Sequence, residues 1–178
     1  MECLLEATEL FGFHVNQVRH RIIPVPRWLS EQEQQTWQSY IQMRQRLDAV
    51  LAAGLGEHGL SMPDYELLVP LSAAPGGCLR AKELAAEVCW DKSRLSKQLA
   101  RMAARGLVAR VPAVDDARGI VVSLTEAGRN VLREAAPEHV ELVRELFVDR
   151  MTDAESAAIR SLAEKVIVAS ETRSAAPG

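Results

Sequence analysis

Residues 91–106 read DKSRLSKQLARMAARG and combine helix start and stop signals with an apolar period. Asp91 is a favoured residue at the N-cap of a helix, and Gly106 suits the position just after a helix ends. Three apolar side chains between them recur at helical spacing: Leu95, Leu99 and Met102. The stretch therefore predicts an amphipathic helix over residues 91–105 whose apolar face packs against the rest of the protein.

A second face of this predicted helix is basic. From residue 92 to residue 110 the chain has six basic side chains and no acidic one: Lys92, Arg94, Lys97, Arg101, Arg105 and Arg110. Four of them, from Arg94 to Arg105, form a stripe about 80° wide at 100° per residue. Such a stripe is often only a solvated helix surface. With Ser93, Ser96 and Gln98 beside it, the stripe also fits the major groove of B-DNA, where Arg and Lys grip phosphates or guanine edges.

The segments around this helix complete a known motif. A short helix at about residues 80–88 precedes it, separated only by Cys89 and Trp90. Two short β-branched stretches, residues 107–111 and 120–124, follow it and predict a β-hairpin. Helix, turn, helix and hairpin is the order of a winged helix-turn-helix. The sequence thus predicts a mostly α-helical protein with a two-stranded wing.

The tip of the predicted hairpin carries Asp116 and Arg118. An arginine there can reach a narrow minor groove beside the helix, and Asp116 can hold it by a charge-assisted hydrogen bond. The alternative is an ordinary Asp–Arg turn pair at the surface. Residues 80–118 carry nine basic and five acidic side chains, a net +4 in a chain of net −3. Positive charge is concentrated where the motif would touch DNA.

Capping signals predict the remaining helices. The first helix is expected at about 30–54, where Ser30 begins it and Gly54 and Gly56 end it, and the second begins at Ser61 with a kink at Pro70 in its last turn. A third helix is expected from Thr125 to about residue 150 with a bend at Pro137, and a fourth from Thr152 to about residue 169. Residues 1–27 have no clean period and are either a short helix at about 4–20 or a loosely attached extension. Residues 170–178 are small and polar, which indicates a frayed end.

The composition excludes several classes of protein. The 178-residue chain is 48% hydrophobic and 25% charged, which is typical of a folded soluble protein. No apolar run approaches the roughly 18 residues of a membrane span, and the acidic start lacks the bases of a secretory signal. Three widely spaced cysteines indicate neither a disulfide framework nor a zinc site. We expect a cytoplasmic protein without metal or cofactor, and no catalytic motif points to an enzyme.

Five short motifs occur in one order along the chain. They read LAAE at 84–87, WDKSRLSK at 90–97, RMAARGLV at 101–108, DARG at 116–119 and LTEAG at 124–128. Together they resemble the MarR family of regulators, over about residues 30–170. The resemblance implies a dimeric, mostly helical transcription factor, usually a repressor that a small ligand or thiol oxidation releases from double-stranded DNA.

The resemblance also implies roles for single residues. In the family the second helix of the motif reads the major groove and a wing arginine enters the minor groove. These roles map here to Ser93, Arg94, Ser96 and Lys97, and to Arg118 supported by Asp116. With the rest of the basic face, the residues assigned to DNA are Lys92, Ser93, Arg94, Ser96, Lys97, Gln98, Arg101, Asp116 and Arg118. Three features depart from the family pattern: Cys89 where glycine is frequent, Pro70 inside a helix, and residues 1–27.

The terminal helices indicate a homodimer, because their apolar stripes exceed what one small winged lobe can cover. The expected self-association surface comprises residues 30–54, 142–147 and 159–167; the alternative is packing only within the chain. A twofold dimer presents two recognition helices roughly 34 Å apart and so calls for a pseudo-palindromic site. The expected divisions are an extension at 1–29, a dimerisation helix at 30–56, a DNA-binding lobe at 57–128, C-terminal dimerisation helices at 129–170 and a frayed tail at 171–178.

The regulatory input is the least marked feature of the sequence. The resemblance places a ligand crevice between the dimer helices and the DNA-binding lobe. Its candidate lining residues are Trp37, Tyr40, Tyr65 and His139, although such side chains more often serve only packing. Cys89 precedes a helix N-terminus beside Lys92, where a thiolate is favoured, so a redox-sensing regulator is a second hypothesis; a small buried side chain is the alternative. A third hypothesis is a winged domain that binds a protein partner instead of DNA.

Overall fold

The computed structural model describes residues 27–113 and 119–175. The chain divides into two units, residues 1–38 and residues 39–178. Its elements are, in chain order, α1 (Glu31–Glu57), α2 (Met62–Ala73), β1 (Cys78–Arg80), α3 (Ala81–Glu87), α4 (Lys92–Ala104), β2 (Val108–Pro112), β3 (Ile120–Leu124), α5 (Glu126–Leu146) and α6 (Asp153–Ala175), with 3-10 turns at Pro75–Gly77 and Val148–Arg150. Within the described ranges, no helix has both the length and the apolar character to cross a membrane. The helix considered at about 4–20 lies outside the described residues.

The helices begin at the capping signals that the sequence predicts. In the first unit, the Ser30 N–H donates to Glu33 Oε2 at 2.8 Å, and the Glu33 N–H donates to Ser30 Oγ at 3.3 Å. The hydrogen bond from the Ser30 backbone to the Glu33 carboxylate is the main cause that lowers the pKa of Glu33. In the second unit, Ser61 and Asp64 form a capping box at α2, and Thr152 and Glu155 form one at α6. Single side chains cap the other two helices, Asp91 at α4 and Thr125 at α5. Each predicted cap is confirmed.

Three helices end in the same way. The residues just past α1, α3 and α4 have positive φ: Gly59 at 68°, Cys89 at 53° and Gly106 at 73°. After each one, the next amide donates back to the last turn of its helix, as Trp90 N–H does to the Ala85 carbonyl at 2.9 Å. This left-handed ending satisfies helix carbonyls that would otherwise lack donors.

Gly54 and Gly56 lie inside α1, so the prediction that they end it was wrong. A Cβ built at Gly54 would lie 2.7 Å from Leu142 Cδ1 on α5, which is closer than real side chains pack. Glycine here allows a close approach between the two helices rather than breaking one of them. The helix ends at Glu57, and Gly59 supplies the left-handed residue that closes it.

The wing belongs to a three-stranded antiparallel sheet in the order β1-β3-β2. β2 and β3 pair from Val108 opposite Leu124 onward, so the predicted hairpin is confirmed. β1 adds a strand that the sequence did not predict, with Leu79 opposite Val122. Three residues are too few to show the alternation by which a strand is recognised.

The core lies where α2, α3 and α4 pack against one another and against the sheet. Its largest fully buried apolar side chains are Leu55, Leu67, Leu68, Leu71, Leu84, Leu99, Met102 and Val122. Burying large aliphatic side chains in one cluster is the main favourable contribution to folding. The cluster also fixes which face of α4 points outward.

The C-terminal helices differ from their predicted bounds. α5 contains Pro137 and ends at Leu146, where a 3-10 turn completes the stretch predicted as one helix. The bends expected at Pro70 and Pro137 stay predictions. α6 continues to Ala175, so the predicted frayed end is wrong for residues 170–175, whereas residues 176–178 lie outside the described part of the chain. Alanine, glutamate and arginine in this stretch are good helix formers, which outweighs the small polar residues among them.

Candidate nucleic-acid interface

Helix α4 divides into a buried face and a basic face. Leu95, Leu99 and Met102 are at most 3% exposed. The polar side chains turned to solvent are Lys92, Ser93, Arg94, Ser96, Lys97 and Arg101. The predicted division between packing and basic faces is therefore confirmed for these residues.

The first turn of α4 is fixed by Asp91. Its Oδ1 accepts the Arg94 N–H at 2.9 Å, and this hydrogen bond is the main cause that lowers the pKa of Asp91. The cap therefore sets where the helix begins. The first three residues of the helix, Lys92, Ser93 and Arg94, all have exposed side chains. A capped helix N-terminus with a net positive turn favours an anionic partner.

Gln98 corrects one prediction. The sequence places it beside the cations on the exposed face, but the side chain is only 4% exposed. Its Nε2 donates to Asp64 Oδ1 at 2.7 Å, and its Oε1 accepts from Arg101 Nε at 3.1 Å. A buried amide needs such partners, and both of its ends have one. Gln98 therefore accepts a hydrogen bond from Arg101 and orients its guanidinium, and does not present its own amide to solvent.

Asp64 belongs to this site although its sequence pattern does not indicate it. This fully buried carboxylate on α2 accepts hydrogen bonds from Ser61 N and Oγ, Gln98 Nε2 and Arg105 Nη1. Burial raises the pKa of Asp64, but the hydrogen bonds from Ser61 and Arg105 outweigh burial and hold that pKa below 3.8. A helix cap is the only role that its sequence pattern signals.

Arg105 belongs to this network as well as to the basic stripe. Its Nη1 lies 2.7 Å from Asp64 Oδ2, and its Nη2 donates to the Gly59 carbonyl. The side chain thus ties the end of α4 to the turn between α1 and α2. The side chain stays exposed, as do those of Arg94, Lys97 and Arg101, but these two contacts hold its guanidinium within the protein.

The wing brings its two strands together beside α4. Arg110 is exposed on β2, and the Ala113 N–H donates to the Gly119 carbonyl at 2.9 Å where the hairpin narrows. Asp116 and Arg118 lie between these two residues in sequence and outside the described part of the chain.

Cys89 is exposed, so the alternative of a small buried side chain was wrong. Its Sγ lies 3.8 Å from the Ala86 carbonyl oxygen, within reach of a weak hydrogen bond. Its left-handed backbone explains why a glycine is expected at this position. The thiol lies in the turn that joins α3 to α4.

Two of the four candidate ligand residues lie together. The rings of Tyr65 on α2 and His139 on α5 have centroids 4.3 Å apart at an angle of 39°. Burial lowers the pKa of His139 below 6.5 and raises that of Tyr65 above 10.0. His139 Nδ1 is buried with no hydrogen-bond partner among the described residues. Trp37 and Tyr40 are each about half exposed.

Comparison with known proteins decides the family. A sequence model of the MarR family matches residues 58–119. The chain is 35% identical to AbsC, a MarR family transcriptional regulator from Streptomyces coelicolor, over 84% of this chain and 99% of that one, with a TM-score of 0.77. The chain belongs to the MarR family of transcriptional regulators.

Other MarR-family proteins show the same similarity. Sco3205 from Streptomyces coelicolor, whose crystal structure is in complex with DNA, is 36% identical over 81% of this chain and 91% of that one, with a TM-score of 0.77. The multiple antibiotic resistance protein MarR of Salmonella typhimurium is 25% identical over 118 residues, or 64% of this chain and 81% of that protein. The resemblance seen in the five sequence motifs is thereby confirmed, and with it the winged helix-turn-helix fold.

Proposed function

We propose that this MarR-family protein is a homodimeric repressor that binds a pseudo-palindromic operator and is released by a small ligand. Helix α4 enters the major groove, with Lys92, Ser93, Arg94, Ser96, Lys97 and Arg101 facing the DNA. Arg118, supported by Asp116, enters the minor groove. The observation that carries the proposal is the outward basic face of α4, which follows a capped N-terminus and lies opposite a buried apolar face.

Charge and similarity support DNA as the partner. The net charge of +4 on residues 80–118 contrasts with the acidic remainder of the chain. Sco3205, which is similar over most of this chain, crystallises with DNA. A winged domain that binds only a protein partner has no need of an outward cationic face on its second helix.

The terminal helices support the dimer. Ile159, Leu162, Val166 and Ile167 are each 39–61% exposed along α6. Apolar stripes of this length mark protein–protein interfaces more often than free surface. We propose that α6, together with the exposed apolar side chains of α1, forms the self-association surface.

Selection of bound sequences from a pool of random duplexes tests this function. The proposal predicts an inverted repeat whose half-sites are about one helical turn apart, because a twofold dimer presents two α4 helices. Enrichment of no sequence above the starting pool at moderate salt would contradict it. A single non-repeated site would contradict the dimer alone.

The Tyr65–His139 pair supports the position of the effector site. An aromatic ligand could add to this stack, and its hydroxyl would supply the hydrogen bond that His139 Nδ1 lacks among the described residues. Phenol is a suitable probe: it should release the selected duplex from the wild type, and the variant His139→Leu should hold the duplex. Equal release from both proteins would move the effector site elsewhere.

The exposed thiol of Cys89 favours one alternative, a thiol-based redox regulator. In that case peroxide would weaken binding of the selected duplex by the wild type. The variant Cys89→Ser would then bind equally well before and after treatment.

A further inference from the structure

The guanidinium of Arg94 lies over the indole ring of Trp90. Trp90 lies immediately before the N-cap of α4 and is 8% exposed, because most of its indole is part of the hydrophobic core. Arg94 Cζ lies 3.8 Å from the centre of that ring. This is the distance of a stacked cation–π contact, in which the guanidinium lies over the face of the indole. A ring anchored in the core gives the arginine a fixed platform.

The stack leaves the hydrogen-bond donors of Arg94 available. A cation–π contact with the ring needs no oxygen or nitrogen acceptor, so it occupies none of the five N–H groups in a conventional hydrogen bond. Among the described residues, the structure shows no hydrogen bond or ion pair from the Arg94 guanidinium. Arg94 is the third residue of α4, in the N-terminal turn from which recognition helices contact base edges.

We infer that Trp90 is a positioning residue for sequence readout, which holds Arg94 ready for a bidentate contact with guanine. This inference rests on the proposed function. A contact with guanine O6 and N7 requires the guanidinium edge in one orientation, which the indole platform supplies before DNA arrives. A phosphate contact requires only a nearby positive charge, which a lysine gives equally well. Trp90 therefore contributes to the choice of sequence more than to general affinity.

The test compares binding to the selected operator with binding to a scrambled duplex of the same length at the same salt. Trp90→Leu should lower this specificity ratio by about three- to tenfold, and Trp90→Phe by less, because a smaller ring binds the cation more weakly. Both variants should keep the salt dependence of the wild type, since no charge is removed. Leu68→Val, which trims the same core without touching Arg94, should leave the ratio unchanged.

A double-mutant cycle separates positioning from general damage to the fold. In the background of Arg94→Ala, Trp90→Leu should cause no further loss of the specificity ratio. Operator variants should show that both single substitutions relax the preference for guanine at the same base pair. A further loss in the Arg94→Ala background, or an equal loss in Leu68→Val, would overturn the inference and leave the proposed function intact.

Arg94→Lys keeps the test valid if Trp90→Leu fails to fold, since it leaves the core unchanged. It retains the charge but removes the planar edge, so the ratio should fall while the salt dependence stays. An unchanged ratio in Arg94→Lys would overturn the inference. A wild type that shows no sequence preference at all would overturn the proposed function and this inference with it.

Discussion

Cys89 occupies the position after α3 that Gly59 and Gly106 occupy after α1 and α4. All three residues have left-handed backbone, and an L side chain there brings its Cβ close to its own carbonyl oxygen. The hydrogen bonds that close α3 have the same pattern as those that close α4, so the motif forms in spite of the cysteine. The backbone strain is confined to Cys89, in the turn of the helix-turn-helix motif.

Replacing Cys89 by glycine should stabilise the protein by about 1 kcal/mol, because glycine adopts this backbone without strain. Urea denaturation measures the change in the free energy of unfolding. Cys89→Ala is the control, since it removes the thiol and keeps the unfavourable Cβ. Equal stability of the glycine and alanine variants would show that the backbone at this position is not strained.

His139 gives a pH dependence near neutrality. Burial lowers its pKa in the folded protein below the ordinary value of 6.5, so the unfolded chain binds the proton more readily. The stabilisation that neutral His139 contributes to the folded protein is complete above pH 6.5. It is lost as the pH falls toward the pKa that His139 has in the folded protein. The unfolding free energy of the wild type should therefore drop between pH 7.5 and 5.5 more steeply than that of His139→Gln. Parallel curves for the two proteins would refute this origin.

At the scale of elements, the two glycines Gly128 and Gly56 make a matched pair. A Cβ on Gly128 in the first turn of α5 would lie 2.2 Å from the Leu107 carbonyl oxygen, whereas one on Gly56 in α1 would meet nothing within 4 Å. Gly128→Ala should lower the free energy of unfolding by about 3 kcal/mol, because the backbone must move to admit the methyl group. Gly56→Ala should raise the free energy of unfolding by about 0.5–1 kcal/mol, because alanine has the higher helix propensity. Thermal denaturation of both variants is the check, and similar effects would contradict the close contact.

Helix starts were predictable because a capping residue acts on amides within three positions of itself. Ser30, Ser61, Asp91, Thr125 and Thr152 all serve as caps as expected. Helix ends were less predictable: Gly54 has the same local sequence signal as a terminator, but its role depends on Leu142, 88 positions later. Local chemistry is readable in the sequence, and packing between distant segments is not.

The same division applies to the candidate interface. The hydrophobic period of α4 predicted which side chains pack and which cations face outward, and the structure agrees for most of them. Gln98 was misplaced because its partner, Asp64, lies 34 positions earlier on another helix. The pairing of Arg105 with Asp64 was not predicted for the same reason, since the two residues are 41 positions apart.

At the scale of the whole molecule, self-association is the property that the terminal helices determine. Leu162 lies in the apolar stripe of α6 and is 61% exposed in the single chain. Leu162→Glu should weaken the proposed dimer by about 2 kcal/mol or more, because a carboxylate would be buried without a partner. Light scattering after gel filtration measures the mass at several concentrations. Ser161→Glu, outside the stripe, is the control; a monomeric wild type would contradict the proposal.

The salt dependence of DNA binding tests the role of the basic face of α4 most directly. Fluorescence anisotropy with the selected duplex would compare the wild type with Lys97→Gln on α4 and Lys165→Gln on α6, two variants of equal net charge. For Lys97→Gln we expect weaker binding and a slope of log affinity against log salt reduced by about 0.9 for each phosphate that the variant no longer neutralises. Lys165→Gln should match the wild type. Identical curves for the two variants would contradict the placement of α4 against DNA.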